Sequence, residues 1–138
     1  MSTSKSEIVR ILAGNSNIYL IKKGQTSVLI DTGVRGRTDR ILHEIQNHGL
    51  KSQDISLIIL THTHYDHCGN LRSIKDFTGA KVLVHRDEAN NLSKGFTPFP
   101  KGTHPFSKLV VYLGRHLYGT LAKYEPVQPD ILIDRVYD

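Results

Sequence analysis

Three imidazoles and one carboxylate fall within six consecutive positions of this chain, in the sequence HTHYDH at residues 62–67. Imidazole nitrogen and carboxylate oxygen are donors that zinc, iron(II) and manganese accept. Four such donors packed so closely would crowd one another and compete for protons unless they shared a cation. The segment therefore predicts a metal site whose ligands are His62, His64, Asp66 and His67.

The spacing of the four donors indicates how they are shared. Positions 62, 64 and 66 differ by two, so their side chains share a direction only if the backbone is extended. His67 breaks that period and is expected to point elsewhere, toward a second ion or a supporting position. We expect His62 and His64 to bind one metal, and Asp66 and His67 the other. Two metals about 3.5–4 Å apart can clamp an attacked carbonyl or phosphoryl oxygen.

A strand must position these donors. The run ISLIIL at residues 55–60 is apolar at nearly every position, which is typical of a strand covered on both faces. The donors follow it directly. They therefore leave the carboxyl end of a buried strand, where open α/β sheets tend to bind their ligands.

Further strands and helices are predicted on both sides of the motif. Strands are expected at 7–13, 17–22, 27–31, 55–60, 81–85 and 131–136, and helices at 38–48, 69–77, 86–94 and 109–121. Thr38 is expected to cap the first helix, while Gly49 and Gly79 are expected to end two of them. Strands first, followed by alternating helices and strands, predict an α/β layered domain.

Length and composition fit one globular domain. The chain has 138 residues, of which 38% are hydrophobic and 22% are charged. No apolar run is long enough to span a bilayer, and the polar start lacks the apolar segment of a secretion signal. We therefore expect a cytoplasmic protein with no membrane partner. The net charge of +5 favours anionic partners in general, but the basic residues are spread along the chain.

Cys68 is the single cysteine and follows the last histidine of the motif. It cannot form an internal disulfide, which agrees with a reducing compartment. We expect a small buried side chain at the start of a helix rather than a metal ligand. Histidines outside the cluster are expected to be ordinary surface or core residues.

At these residues the chain resembles the metallo-β-lactamase-fold superfamily of metal-dependent hydrolases. The hallmark of that family is His-x-His-x-Asp-His after a hydrophobic strand, which matches residues 62–67. The resemblance extends upstream to Asp31-Thr32-Gly33, which is similar to the family's first motif, and downstream to Gly69-Asn70. In all it covers residues 7–95.

The resemblance implies an αββα sandwich, of which this chain would supply one half, a mixed sheet flanked by helices. It implies that His62 and His64 bind one metal and that Asp66 and His67 bind the other. Asp66 would also orient the reacting water, as the catalytic residue. Asp31 would lie near the metals as a supporting residue. Zinc is the expected cofactor, with iron or manganese as alternatives.

A complete site of this family needs three more ligands from later strands. These are a histidine in a Pro-Gly-His loop, a bridging aspartate and a final histidine. None can be matched here, since His104 and His116 do not follow strands. We therefore expect residues 1–138 to be a single domain, the amino-terminal portion of the fold, with weak metal occupancy and little activity by itself.

The resemblance implies a hydrolase whose metal-bound hydroxide attacks an ester, thioester, lactone or related bond of a small-molecule substrate in the parent protein. One alternative is a non-catalytic metal-binding fragment that forms homodimers through an open sheet face. A nucleic-acid phosphodiesterase is a lesser alternative, because the chain has no basic stripe interleaved with aromatic residues. An iron-dependent redox protein ranks last, since nothing in the sequence supports the accompanying flavin domain.

Overall fold

A computed structural model of the chain describes residues 5–98, 105–119 and 122–134, and its central feature is a mixed β-sheet. Six strands within these ranges lie side by side in chain order. The strands are β1 (Glu7–Ala13), β2 (Ser16–Lys23), β3 (Thr26–Ile30), β4 (Ile55–Ile59), β5 (Lys81–His85) and β6 (Ile131–Ile133). β1 to β3 pair antiparallel, and β3 to β6 pair parallel.

Helices fill the connections between the parallel strands, because a parallel neighbour can be reached only by a crossover. The helices are α1 (Thr38–Asn47), α2 (Tyr65–Cys68), α3 (Leu71–Thr78), α4 (Ala89–Lys94) and α5 (Pro105–Tyr118), with short 3₁₀ turns at Ser52–Asp54 and Arg86–Glu88. This architecture confirms the predicted mixed sheet flanked by helices. Among the described residues, no helix combines the length and apolarity needed to cross a bilayer.

One face of the sheet carries the hydrophobic core. Alternate strand residues such as Ile18, Leu29 and Ile58 are fully buried, and they form one cluster with Ile41 of α1 and Ile74 of α3. Burying a side chain of this size fully contributes about 1.5–3 kcal/mol to folding. The core therefore fixes the position of β4, from whose end the predicted metal loop begins.

The opposite face of the sheet is partly open. Leu57 and Ile59 of β4 are only half-buried, so the expectation that this strand is covered on both faces is wrong within the described residues. Farther along the same face, toward β1, the side chains are more exposed: Tyr19 is 38%, Leu12 47% and Ile8 68% exposed. Strand pairing places these residues on one face of the sheet, where Arg10 and Asn17 also lie, and we call it the open sheet face.

Some predicted boundaries differ in the structure. The helix expected over 69–77 is α3, which begins at Leu71 and ends at Thr78, whereas α2 at Tyr65–Cys68 precedes that range and was not predicted. The last strand ends at Ile133, and the end of its predicted range lies outside the described residues. The helix expected to run to 121 begins earlier, at Pro105, and ends at Tyr118, with Leu121 outside the described residues.

The start of α1 is capped differently from the prediction. Thr38 is the first helical residue and Arg37 precedes it as the N-cap, without a side-chain capping bond. The Thr38 hydroxyl and the Arg37 N–H both donate to Asn70 Oδ1, at 3.2 and 2.9 Å. The helix is therefore capped by a side chain more than thirty residues away. Gly49 and Gly79 have φ of 76° and 70° and end their helices as predicted.

Gly69 lies where two backbone segments approach α2 closely. Its N–H donates to Gly33 O at 2.9 Å. A Cβ atom at this position would meet Gly33 O and Tyr65 O at 2.7 Å each. Since backbone atoms cannot move aside as a flexible side chain does, only glycine fits here.

Replacing Gly69 with alanine is expected to destabilise the fold by about 1–3 kcal/mol, as overpacking against fixed backbone does. The measurement is urea unfolding followed by circular dichroism. Gly114→Ala in α5 is the matched control, because a Cβ there meets nothing within 4 Å. That control should be neutral or stabilise the protein by up to about 1 kcal/mol. Equal unfolding midpoints for the two variants would contradict the assignment.

Candidate metal centre

The predicted ligands lie directly beyond the carboxyl end of β4. Leu60 still bonds to β5, donating its N–H to Leu83 O at 3.0 Å. His64 has extended backbone, with φ of −70° and ψ of 151°, and α2 begins at the next residue. Asp66 and His67 therefore lie on a helical turn, and the expectation of extended backbone through position 66 is wrong.

This turn brings three of the donors together. One ligand atom each from His62, Asp66 and His67 all lie within 4.8 Å of one another, and the group could hold a metal ion. His67 Nε2 is 3.6 Å from Asp66 Oδ2, and the rings of His62 and His67 are 3.9 Å apart between centroids. Contrary to the inference from spacing, His67 points toward His62. All three side chains are half-buried.

His64 lies beside this group. Its exposed ring packs edge-on against His62, with centroids 4.8 Å apart and an angle of 86° between the ring planes. The structure therefore groups His62 with His67 more closely than with His64. Assigning all four residues as ligands, and dividing them between two metals, stays a prediction.

Asp31, at the end of β3, is 4% exposed and bonds to the loop through both carboxylate oxygens. Its Oδ1 accepts from the Thr61 N–H and its Oδ2 from the Thr61 hydroxyl, each at 2.8 Å. Oδ2 also lies 2.8 Å from His67 Nδ1. That hydrogen bond places the proton of His67 on Nδ1 and leaves the Nε2 lone pair free, which is the arrangement of a metal-binding imidazole.

Asp31 also acts on His62 through Thr61. The Thr61 hydroxyl gives its proton to Asp31, so its oxygen can accept from His62 Nδ1, which is 3.1 Å away. His62 Nε2 is then the free nitrogen. Burial, followed by the neighbouring His67 and His64, lowers the pKa of His62 below its ordinary value of 6.5. His62 is therefore neutral at neutral pH, the form that binds metal.

Thr32 and Asn70 hold the backbone around His67 in place, although nothing in their own sequence context indicates that they do so. Thr32 donates to His67 O through both its N–H, at 2.7 Å, and its hydroxyl, at 3.1 Å. Asn70 in turn donates to Thr32 O and Val34 O, at 2.6 and 2.7 Å. Both Thr32 and Asn70 are buried, although both are polar. A buried polar residue beside a motif is the physical signal, but burial becomes visible only in three dimensions.

Cys68 is 1% exposed, as predicted, although it lies at the end of α2 rather than at the start of a helix. Its thiol donates to His64 O at 3.1 Å. Burial raises the pKa of Cys68, so the side chain is a neutral thiol rather than the thiolate that binds metals.

Proteins of known family share this sequence pattern. A probable metallo-hydrolase of Methanocaldococcus jannaschii is 35% identical over 81 residues, which are 59% of this chain and 38% of that protein. Metallo-beta-lactamase domain-containing protein 1 of Xenopus laevis is 35% identical over 77 residues, 56% of this chain and 31% of that protein. This chain therefore covers well under half of the length of these relatives.

Solved structures share the fold. A subclass B3 metallo-beta-lactamase of Bradyrhizobium japonicum superimposes with a TM-score of 0.73 and 27% identity, covering 96% of this chain and 45% of that one. A beta-lactamase from Chitinophaga pinensis gives a TM-score of 0.70 at 27% identity, covering 93% and 43%. The six-stranded sheet and its helices thus correspond to somewhat less than half of those enzymes.

A sequence model of one family, the metallo-beta-lactamase superfamily, matches residues 11–133. The match begins within β1 and ends with the last residue of β6. It therefore takes in the whole parallel part of the sheet, the loop with its grouped histidines and aspartate, and every described helix. The chain belongs to the metallo-beta-lactamase superfamily.

Proposed function

We propose that this chain supplies the metal-binding portion of a metal-dependent hydrolase that cleaves an ester, thioester, lactone or related bond in a small molecule. The observation that supports it best is the convergence of His62, Asp66 and His67, with Asp31 holding His67 in the metal-binding tautomer. No packing requirement explains half-buried imidazoles held this close together beside a carboxylate. The names of the relatives, a metallo-hydrolase and beta-lactamases, support hydrolysis as the class of reaction.

The donors fit zinc. Two imidazoles and one carboxylate are a ligand set that catalytic zinc sites use, and such sites keep a further position open for water or substrate. Iron(II) and manganese accept the same donors less selectively. A bound divalent cation supplies two things to hydrolysis, a lowered pKa for water and polarisation of the attacked oxygen.

The protein's own groups have separate roles in this proposal. Asp31 and Thr61 hold His67 and His62 in the tautomers that leave Nε2 free. The side chain of Asp66 is 33% exposed, so its carboxylate is accessible from solvent, where water and substrate arrive. We assign Asp66 to orienting the reacting water. His64, which is exposed beside His62, is the fourth proposed ligand.

Metal affinity is expected to be modest in this chain. Among the described residues, His62, Asp66 and His67 are the one group of three donors close enough to share an ion. A structural zinc site closes four protein ligands around the metal. With fewer ligands fixed in place, the chain is expected to bind metal more weakly than such a site and to turn substrate over slowly.

A second candidate function is a metal-binding module that assembles without catalysis. The open sheet face favours it, because large apolar side chains exposed on one face promote association. We take a second copy of this chain as the partner. A two-fold arrangement would place the same exposed residues of both copies, among them Leu12 and Tyr19, against each other.

Zinc content, together with turnover before and after chelation, distinguishes a hydrolase from a non-catalytic assembly module. The purified chain is expected to bind zinc, measured by mass spectrometry of metal content, and to hydrolyse a generic thioester or lactone in a chelator-sensitive manner. His67→Ala should lose both properties, because it removes the imidazole that Asp31 orients. His43→Ala is the control, since His43 is exposed on α1. Zinc bound equally well by His67→Ala would contradict the site, and zinc binding without turnover would favour the assembly module.

Asp31→Asn is expected to weaken zinc binding by about 10–100-fold, the usual effect of changing a residue that orients a metal-binding histidine. Asparagine is nearly isosteric but cannot accept a charge-assisted bond from His67. Competition with a chromophoric chelator measures the affinity, and thermal unfolding shows whether the fold is retained. Asp76→Asn, an exposed carboxylate on α3, is the matched control. Equal affinities in the two variants would refute the role of Asp31.

Self-association through the open sheet face is expected to depend on concentration in sedimentation velocity. Leu12→Lys places a charge on that face and should shift the chain toward monomer. Gln46→Lys adds the same charge at an exposed position of α1, the helix that packs on the core side of the sheet, and should leave association unchanged. A monomer at every concentration would rule out the homodimer.

A further inference from the structure

Thr63 lies between two of the proposed ligands but faces away from them. Successive side chains of an extended segment point to opposite sides, and Thr63 is 0% exposed whereas His64 is exposed. Hydrogen bonds to Thr63 therefore hold, from the buried side, the same stretch of backbone that carries His62 and His64 on the outer side.

All three polar groups of Thr63 have partners. Glu88 Oε2 accepts from the Thr63 N–H at 3.1 Å and also from the Thr63 hydroxyl. The Thr97 hydroxyl donates to Thr63 O and lies 2.9 Å from Thr63 Oγ1. Glu88 and Thr97 are 25 and 34 residues away in the sequence, so the backbone of the loop is held by long-range contacts.

Tyr124 completes this group. Its hydroxyl lies 2.8 Å from Thr97 Oγ1, and the residue is 5% exposed. Burial raises the pKa of Tyr124 to about 12, so the phenol keeps its proton and acts as a donor. Since Thr97 has one proton and gives it to Thr63 O, Tyr124 donates to Thr97. We call Thr63, Glu88, Thr97 and Tyr124 the Thr63 cluster.

The backbone around Thr97 and Tyr124 is itself paired. Phe96 and Lys123 form an antiparallel bridge, and the Tyr124 N–H donates to Gly95 O at 3.0 Å. Thr97 and Tyr124 thus come from the two chain ends that enclose residues 98–121. This backbone pairing fixes Thr97 and Tyr124 relative to each other, so that their hydroxyls can hold Thr63 in one orientation.

We propose that the Thr63 cluster positions His62 and His64 for metal binding, although none of its four members is a ligand. Core packing alone does not require the hydroxyls of Thr63, Thr97 and Tyr124, because valine and phenylalanine have nearly the shapes of threonine and tyrosine without a hydroxyl. What the polar groups add is direction: Glu88 fixes the Thr63 N–H, Thr97 fixes the Thr63 carbonyl, and Tyr124 fixes the Thr97 hydroxyl. This inference rests on the proposed metal-binding function.

The test removes single hydroxyls from the cluster. Thr97→Val and Tyr124→Phe each delete one hydrogen-bonding group at nearly constant shape, and Thr97→Ser restores the hydroxyl. Thr26→Val and Tyr112→Phe are the matched controls. Thr26 is exposed at the start of β3, opposite the carboxyl end of the parallel strands where the loop lies, and Tyr112 is exposed on α5.

The first readout is titration of the chain with Co²⁺, followed through the ligand-field absorption of the bound ion. Both cluster variants should bind Co²⁺ about tenfold more weakly, with a changed spectrum, because the imidazoles are less well oriented. Thr97→Ser should recover the affinity and spectrum of the unmodified chain. An unchanged spectrum and affinity in both cluster variants would overturn the proposal.

The second readout is amide hydrogen exchange of the metal-free chain. Residues 61–68 should exchange faster in Thr97→Val and Tyr124→Phe than in their controls, whereas the amides of β2 and β3 should not change. Unchanged exchange in residues 61–68 would overturn the positioning role. If the unmodified chain bound no Co²⁺, the proposed function would fail, and exchange alone would decide whether the cluster orders the loop.

Discussion

The conformation of the loop at residues 61–67 depends on the hydrogen bonds that it makes with the buried carboxylate of Asp31. A charge with 4% exposure is stable only when hydrogen bonds replace its water, and Asp31 obtains them from Thr61 and His67. It thereby joins the end of β3 to Thr61, two residues beyond β4, and to His67 of α2. The same bonds that satisfy the carboxylate also set the tautomer of His67, so the stability of the loop and the orientation of this imidazole have a common origin. Its φ of 61°, in a region tolerated by aspartate, turns the chain beneath the loop.

The position of the His and Asp donors at the end of β4 was predictable from sequence, but their mutual geometry was not. Donor side chains directly after an apolar run identify the end of a strand, because residue types and hydrophobicity are local properties. The fold class and the parallel crossovers follow from the same local patterns. The four-residue helix α2 was missed, since so short a helix is stabilised by its surroundings rather than by its own propensity. That one helix reverses the inferred direction of His67 toward His62.

Long-range partners account for the other differences. Asn70 caps α1 by accepting from Arg37 and Thr38, and nothing near Arg37 or Thr38 indicates this. Glu88 and Thr97 bond to Thr63 in the same way, across 25 and 34 residues. The buried face of a helix or strand repeats at a fixed interval in the sequence and can be recognised from it. A hydrogen bond between distant residues leaves no such repeat, so it cannot be predicted in this way. The half-burial of β4 on one side has a similar cause, because an apolar run shows what a strand can bury, not what covers it.

The bridge between Phe96 and Lys123 closes the chain on itself before and after residues 98–121. A segment whose two ends are already fastened can change its length with only a small entropic penalty, on the order of 0.6 kcal/mol for each doubling. Replacement of this stretch, by natural insertion or by grafting, would therefore leave the bonds between Thr97, Tyr124 and Thr63 intact. The bridge thus separates the residues that hold Thr63 from a neighbouring stretch whose length can vary independently.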